Sequence, residues 1–201
     1  MLRRFAPRND NVDKNNQFMG KMLFVLGGAR SGKSAFAVEL AKNYKKVAYI
    51  ATAQALDDEM AERIRIHKAS RPKNWQVIES PLDADRVVKD LDGKTDFILF
   101  DCVTLYITNL ITPTLTLPPG GGGKGEEGDA DILKKIDSLC KACRDISADV
   151  AIVSNEVGLG VVPDNELSRR FRDLAGKANQ IIAKEADEVY FLTAGIAQRI
   201  K

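Results

Sequence analysis

Eight consecutive residues, Gly27-Gly28-Ala29-Arg30-Ser31-Gly32-Lys33-Ser34, have the spacing G-x-x-x-x-G-K-[ST] of a phosphate-binding loop. Glycine at positions 27 and 32 lets the backbone turn successive N–H groups inward around a phosphate, where a Cβ would obstruct them. The partial positive charge at the start of a following helix adds to that field. Lys33 can reach the β- and γ-phosphates of a nucleoside triphosphate, and the Ser34 hydroxyl can ligate Mg²⁺. A second candidate ligand for that ion is Asp101, an acid closing the apolar run Phe97-Ile98-Leu99-Phe100. It could hold Mg²⁺ directly or through water. An acid at the end of a buried strand is common; downstream of a phosphate-binding loop it becomes specific.

The third chemical candidate is His67, the one histidine in the chain. A neutral imidazole can attack the α-phosphorus of a nucleotide, expel pyrophosphate and carry the nucleotidyl group as a phosphoramidate. Lys68 and Arg71 lie close in sequence and could stabilise charge on the transferring group. The competing reading is structural. Leu56, Met60, Ile64 and His67 recur at helical spacing, so the imidazole also fits as a packed, hydrogen-bonded side chain on an amphipathic stripe. On that reading the protein is a plain P-loop kinase or NTPase, or a nucleotide-dependent regulatory protein. Cys140 and Cys143 sit inside a helical pattern with no second pair, and core packing explains Cys143 better than metal or redox use.

These groups need elements to position them. Leu23–Leu26 reads as a short buried strand feeding the loop, and Ala35–Ala41 as the helix that follows it. Val47–Ala51 is a second strand, with Thr52-Ala53-Gln54 at its carboxyl end, where ligands gather in open parallel sheets. Leu56–Lys68 predicts a helix, capped by Asp57 or Asp58 and ended by Ala69–Pro72. Trp75–Glu79 alternates as a strand, Leu82–Leu91 reads as a helix and Phe97–Asp101 as the next strand. Ile132–Ile146 carries Ile132, Ile136, Leu139, Cys143 and Ile146 on one helical face. Val150–Ser154 is a strand, left by the glycine-containing loop Asn155–Pro163. Asp164 can cap a long helix through Ala186, and Glu188–Thr193 is the last strand. This alternation predicts an α/β fold, a P-loop (RecA-like) doubly wound, mostly parallel sheet in three layers.

A chain of 201 residues, 44% apolar and 29% charged, suits one such domain, expected over residues 22–201. Residues 1–21 are polar, carry Arg3, Arg4 and Arg8, and lack the apolar stretch of a secretory signal, so they read as a disordered leader. Residues 112–131 shift to Thr, Pro and Gly and read as a flexible insertion with little to bury. A formal charge of +2 gives no field that argues for nucleic acid or a membrane surface. No apolar run approaches the ~20 residues of a membrane span. Three cysteines are too few and too odd for a disulfide framework, which points to the cytoplasm.

Taken together, the motifs resemble the bifunctional adenosylcobinamide kinase / adenosylcobinamide-phosphate guanylyltransferase family of cobalamin biosynthesis. The likeness rests on Gly27–Ser34, Tyr49–Gln54, Asp57–Met60, Arg63, His67, Lys68, Arg71-Pro72, Trp75 and Glu79. It continues through Ser154–Pro163, Arg170–Asp173, Gly176–Gln180 and Ala186-Asp187. The resemblance implies transfer of a γ-phosphate from ATP or GTP to adenosylcobinamide, then transfer of GMP from GTP to that phosphate through guanylylated His67. It also implies that Gly27, Gly28, Ala29, Arg30, Ser31, Gly32, Lys33 and Ser34 cradle nucleotide phosphates, and that Thr52, Ala53, Gln54, Lys68, Arg71, Glu79 and Asp101 line the GTP site. Some relatives carry Glu where Asp101 stands, and the Gly/Pro insertion lies outside the shared pattern. Members of such a family are commonly homo-oligomers, often trimers.

Overall fold

The computed structural model describes residues 19–55, 58–69, 72–115 and 125–201, and among these not the side chains at 63, 66, 67, 69, 112–115 and 125–127. Its spine is a seven-stranded sheet built from β1 (Met22–Gly27), β2 (Val47–Ala51), β3 (Gln76–Glu79), β4 (Phe97–Asp101), β5 (Asp149–Asn155), β6 (Glu188–Thr193) and β7 (Ile196–Arg199). The strand order is β3-β2-β4-β5-β1-β6-β7. Every pairing is parallel except β6 with β7, a hairpin that closes one edge antiparallel. Because the strands run parallel, the carboxyl ends of β1, β2, β4 and β5 come out on one edge, and the chemistry-bearing residues of the sequence lie there.

Both faces of the sheet are covered, as the near-continuous apolar strands require. Side chains of period two divide the core. Phe24, Ile50, Ile98, Phe100, Val150 and Ile152 join one cluster with Tyr106, Ile136, Leu139, Leu174 and Ile182. Those partners come from α4 (Val103–Leu115), α5 (Gly125–Arg144) and α6 (Glu166–Glu185), to which α3 (Ala84–Asp90) adds Ala84 and Val88. Val25, Tyr49, Leu99 and Val153 turn to the other face and meet Ala37, Leu40 and Ala41 of α1 (Lys33–Ala41). This is the expected three-layer, doubly wound α/β architecture.

Some boundaries differ from the sequence expectation for physical reasons. Helix α4 is not evident in the sequence, because its run of Val, Thr and Ile favours strands. Burial overrides that preference: Val103, Tyr106, Ile107, Leu110 and Ile111 all sit in the core. Helix α6 is capped by Asn165, not Asp164; the Asn165 side chain accepts a hydrogen bond from the Ser168 N–H at 2.8 Å. The helices also run further into the Thr/Pro/Gly stretch than its composition suggests: residues 112–115 belong to α4 and 125–131 to α5. Arg170 of α6 pairs with Asp129, which ties the start of α5 down. Residues 116–124 lie outside the described residues, as do residues 1–18 of the expected leader. The end of that leader is fixed: Gly20 N–H donates to the Ile146 carbonyl at 2.9 Å and Lys21 N–H to Asp149 Oδ1 at 2.7 Å.

Phe100 is fully buried on β4 and meets Tyr106 edge-on with ring centroids 5.7 Å apart. Phe100→Ala is expected to lower the unfolding free energy by about 3–5 kcal/mol, read as a lower denaturant midpoint at unchanged slope.

Candidate active site

The loop after β1 is shaped by what lies beneath it. A Cβ on Gly27 would fall 2.5 Å from the Leu192 carbonyl oxygen and 2.8 Å from Ser31 Oγ, so only glycine fits. Gly32 has φ +96°, and a Cβ there would sit 3.1 Å from Gly195 Cα. The Gly195 N–H donates to the Ser31 carbonyl at 2.9 Å, pinning the loop to the β6–β7 turn. Helix α1 (Lys33–Ala41) then starts at once. Lys33 is buried, and its Nζ donates to the Gly28 carbonyl at 2.6 Å across the loop. Burial lowers its pKa, while nearby Cys102 and Asp101 raise it in part.

Across from the loop, Asp101 closes β4. Its Oδ2 accepts from Tyr49 OH at 2.6 Å and lies 3.4 Å from Ser34 Oγ. Two hard oxygen donors this close, one on the first turn of a helix and one at a strand end, fit the preference of Mg²⁺. Among the described residues no group of three or more His, Cys, Asp or Glu could hold a metal ion. Mg²⁺ shared with substrate phosphates needs only one or two protein ligands, so the donor set fits it.

A cavity of about 730 Å³ joins these groups. Ala29 to Ser34 and Asp101 form one wall, and Ala53, Lys68 and Glu79 another. Met60 and Ile64 of α2 (Asp58–Ala69) also reach it. Lys68 Nζ pairs with Glu79 Oε1 at 2.8 Å, which holds the Glu79 carboxyl below its ordinary pKa. His67 belongs to α2, one residue before Lys68, and its side chain lies outside the described set; Arg71 lies outside it entirely. Other expected site residues stand back from the cavity. Thr52 is fully buried, and its Oγ1 accepts from Cys102 N–H at 2.8 Å and donates to the Cys102 carbonyl at 2.9 Å. Gln54 is exposed, and Gly27 and Gly28 do not line the cavity. Sequence reasoning did not single out Tyr49, Cys102 and Asn155 as site residues, yet all three line the cavity. Their signal was position, since each lies on a strand or at the carboxyl end of one.

The chain matches the model of the cobinamide kinase / cobinamide phosphate guanyltransferase family over residues 23–200. The chain belongs to that family. It is 40% identical over 185 residues to the bifunctional adenosylcobalamin biosynthesis protein CobU of Escherichia coli, covering 90% of this chain and 99% of the relative. Identity to CobU of Salmonella typhimurium is 42% over the same shares, and to CobP of Pseudomonas aeruginosa 40% over 88% of this chain and 95% of the relative. Among solved structures, an ATPase of a bacterial type III secretion system superposes with a TM-score of 0.55 at 11% identity, covering 87% of this chain and 52% of that one. That likeness carries the fold alone. No helix among the described residues is long and apolar enough to cross a membrane.

Two outcomes are expected of this site. Lys33→Ala removes a charge-assisted contact worth about 1.5–3 kcal/mol, so nucleoside triphosphate binding should weaken by about 10- to 150-fold in calorimetry. Cys102 is buried, its thiol pushed up to about 11, and Cys140 is likewise raised to about 12. Both thiols should therefore resist iodoacetamide at pH 8 in the folded protein and react on unfolding, counted by mass.

Proposed function

We propose that this family member phosphorylates adenosylcobinamide with ATP or GTP and then transfers GMP from GTP to adenosylcobinamide phosphate, giving adenosylcobinamide-GDP, with His67 as the nucleophile. The observation that carries the reading is the single cavity, with the phosphate-binding loop and Asp101 on one wall and helix α2, which contains His67, on another.

In the kinase half, the acceptor alcohol oxygen bonds to the γ-phosphorus while the bond from that phosphorus to the bridging oxygen breaks and the nucleoside diphosphate leaves. Lys33 and the loop N–H groups hold the phosphates in line. Mg²⁺, when held by Ser34 and Asp101, supplies positive charge to the phosphate oxygens. In the guanylyl half, a neutral His67 nitrogen bonds to the α-phosphorus of GTP and pyrophosphate leaves. A phosphate oxygen of adenosylcobinamide phosphate then displaces the imidazole. Lys68 and Arg71 act as the cations of that step, and Ala53 and Glu79 line the nucleotide site beside them. Residues 22–201 act as one domain, working in the cytoplasm as a homo-oligomer.

The test is intact mass after incubation with GTP and Mg²⁺. A GMP-sized, acid-labile increase is expected in the wild type and none in His67→Asn, which should still bind nucleotide. An adduct that persists in the variant moves the nucleophile elsewhere; no adduct in the wild type leaves a plain kinase.

A further inference from the structure

Asn155 is the last residue of β5, and β5 lies between β1 and β4, the strands that deliver the phosphate-binding loop and Asp101. Its Cα is in register with Gly27, and it lines the same cavity as Lys33, Ser34 and Asp101. Lys33 and a Mg²⁺ held by Ser34 would engage β- and γ-phosphates, which would bring the γ-phosphate into the part of the cavity that Asn155 lines.

Its side chain and its backbone are each anchored once. Nδ2 donates to Oγ1 of buried Thr104 at 2.8 Å, and that oxygen lies 3.1 Å from Cys102 Sγ. The Asn155 backbone carbonyl accepts from Nδ2 of buried Asn179 at 3.2 Å, and Asn179 Oδ1 in turn accepts from Ser154 Oγ at 2.7 Å. Helices α4 and α6 thus hold this strand end. Among the described residues the side-chain Oδ1 accepts no hydrogen bond. A spare carbonyl acceptor has nothing to offer a phosphate, whose ionised oxygens only accept. The hydrogen-bond donor that the kinase reaction brings to the γ-phosphorus is the acceptor alcohol.

We propose that Asn155 Oδ1 accepts the hydrogen bond of the attacking hydroxyl and aims its oxygen at the γ-phosphorus, making Asn155 a positioning residue of the kinase half-reaction alone. The inference rests on the bifunctional reading above. The alcohol oxygen bonds to the γ-phosphorus, the bridging bond breaks, the nucleoside diphosphate leaves with the electron pair and the hydroxyl proton passes to solvent. The carboxamide takes no proton. Guanylylation of His67 breaks a bond at the α-phosphorus and uses no alcohol, so it makes no demand on Asn155.

The experiment compares the full-length wild type with Asn155→Ala and Thr104→Val in two assays on the same preparations: phosphoryl transfer to adenosylcobinamide, and GMP-adduct formation by intact mass. Asn155→Ala is expected to lose about 100-fold in kcat for phosphoryl transfer, the scale of a misaligned reactant, with adduct formation unchanged. Thr104→Val, which frees the amide from its anchor, should show a smaller loss confined to the same step. The retained adduct reports that each variant is folded. Unchanged phosphoryl transfer in Asn155→Ala would overturn the proposal, and so would a parallel fall of both activities, which marks a structural role. A wild type that forms the adduct but phosphorylates no cobinamide would overturn the bifunctional reading and this assignment with it.

Discussion

The phosphate end of the site depends on one close approach, the backbone of Gly27–Gly32 against the turn that joins β6 to β7. The Leu192 carbonyl occupies the space of a Gly27 side chain, and Gly195 that of a Gly32 side chain. The Gly195 N–H bond to the Ser31 carbonyl then locks the two segments together. The loop's shape is therefore set by residues more than 150 positions away in sequence. A parallel strand cannot supply that support from its own hairpin, so the antiparallel β7 at the sheet edge, although short and mostly exposed, has a structural purpose: it returns the chain and forms the turn on which the loop rests.

The same approach prepares the site electrostatically. Lys33 is buried with a single described hydrogen bond, to the Gly28 carbonyl. Burial lowers the Lys33 pKa and outweighs the attraction of Cys102 and Asp101, which raise it in part. An ammonium held this way is short of anionic partners. A triphosphate brings several negative charges to within a few ångströms, where low-dielectric surroundings make each worth more than in water. Asp101 is held toward Ser34 by the Tyr49 hydroxyl, so its carboxylate is oriented before any ligand arrives.

What could be read from the sequence was local. The glycine–lysine spacing marks the loop because only certain residue types tolerate its backbone, and continuous apolar runs mark strands buried on both faces. The three-layer alternation follows from their order. Helix α4 escaped because tertiary burial of Tyr106, Ile107 and Ile111 overrides their strand preference, and β7 because four mostly exposed residues carry no pattern. In the site, Lys33, Ser34 and Asp101 were legible from motif and strand position. The role of Thr52 was not: it looks like a ligand-side hydroxyl, but both its donor and its acceptor are spent on Cys102 backbone. No spacing rule announces a bond between residues 50 apart in sequence. Tyr49 and Asn155 were hidden for the same reason, since their partners come from other strands and helices.

If one cavity serves both phosphorus atoms, as proposed, its walls need different properties. The loop wall is rigid, glycine-shaped and hydrogen-bonded from behind, as suits an anchor for the β- and γ-phosphates. The opposite wall includes the Lys68–Glu79 pair, whose side chains are about half and two-thirds exposed. An exposed pair of this kind is worth about 0–1 kcal/mol, so opening it costs little. Lys68 can then leave Glu79 for a phosphate without disturbing the core, because Glu79 lies on the edge strand β3 and remains hydrated when alone. On that reading, a rigid anchor facing a loosely paired cation would let a nucleotide stay fixed at one end while the chemistry shifts between its γ- and α-phosphorus atoms.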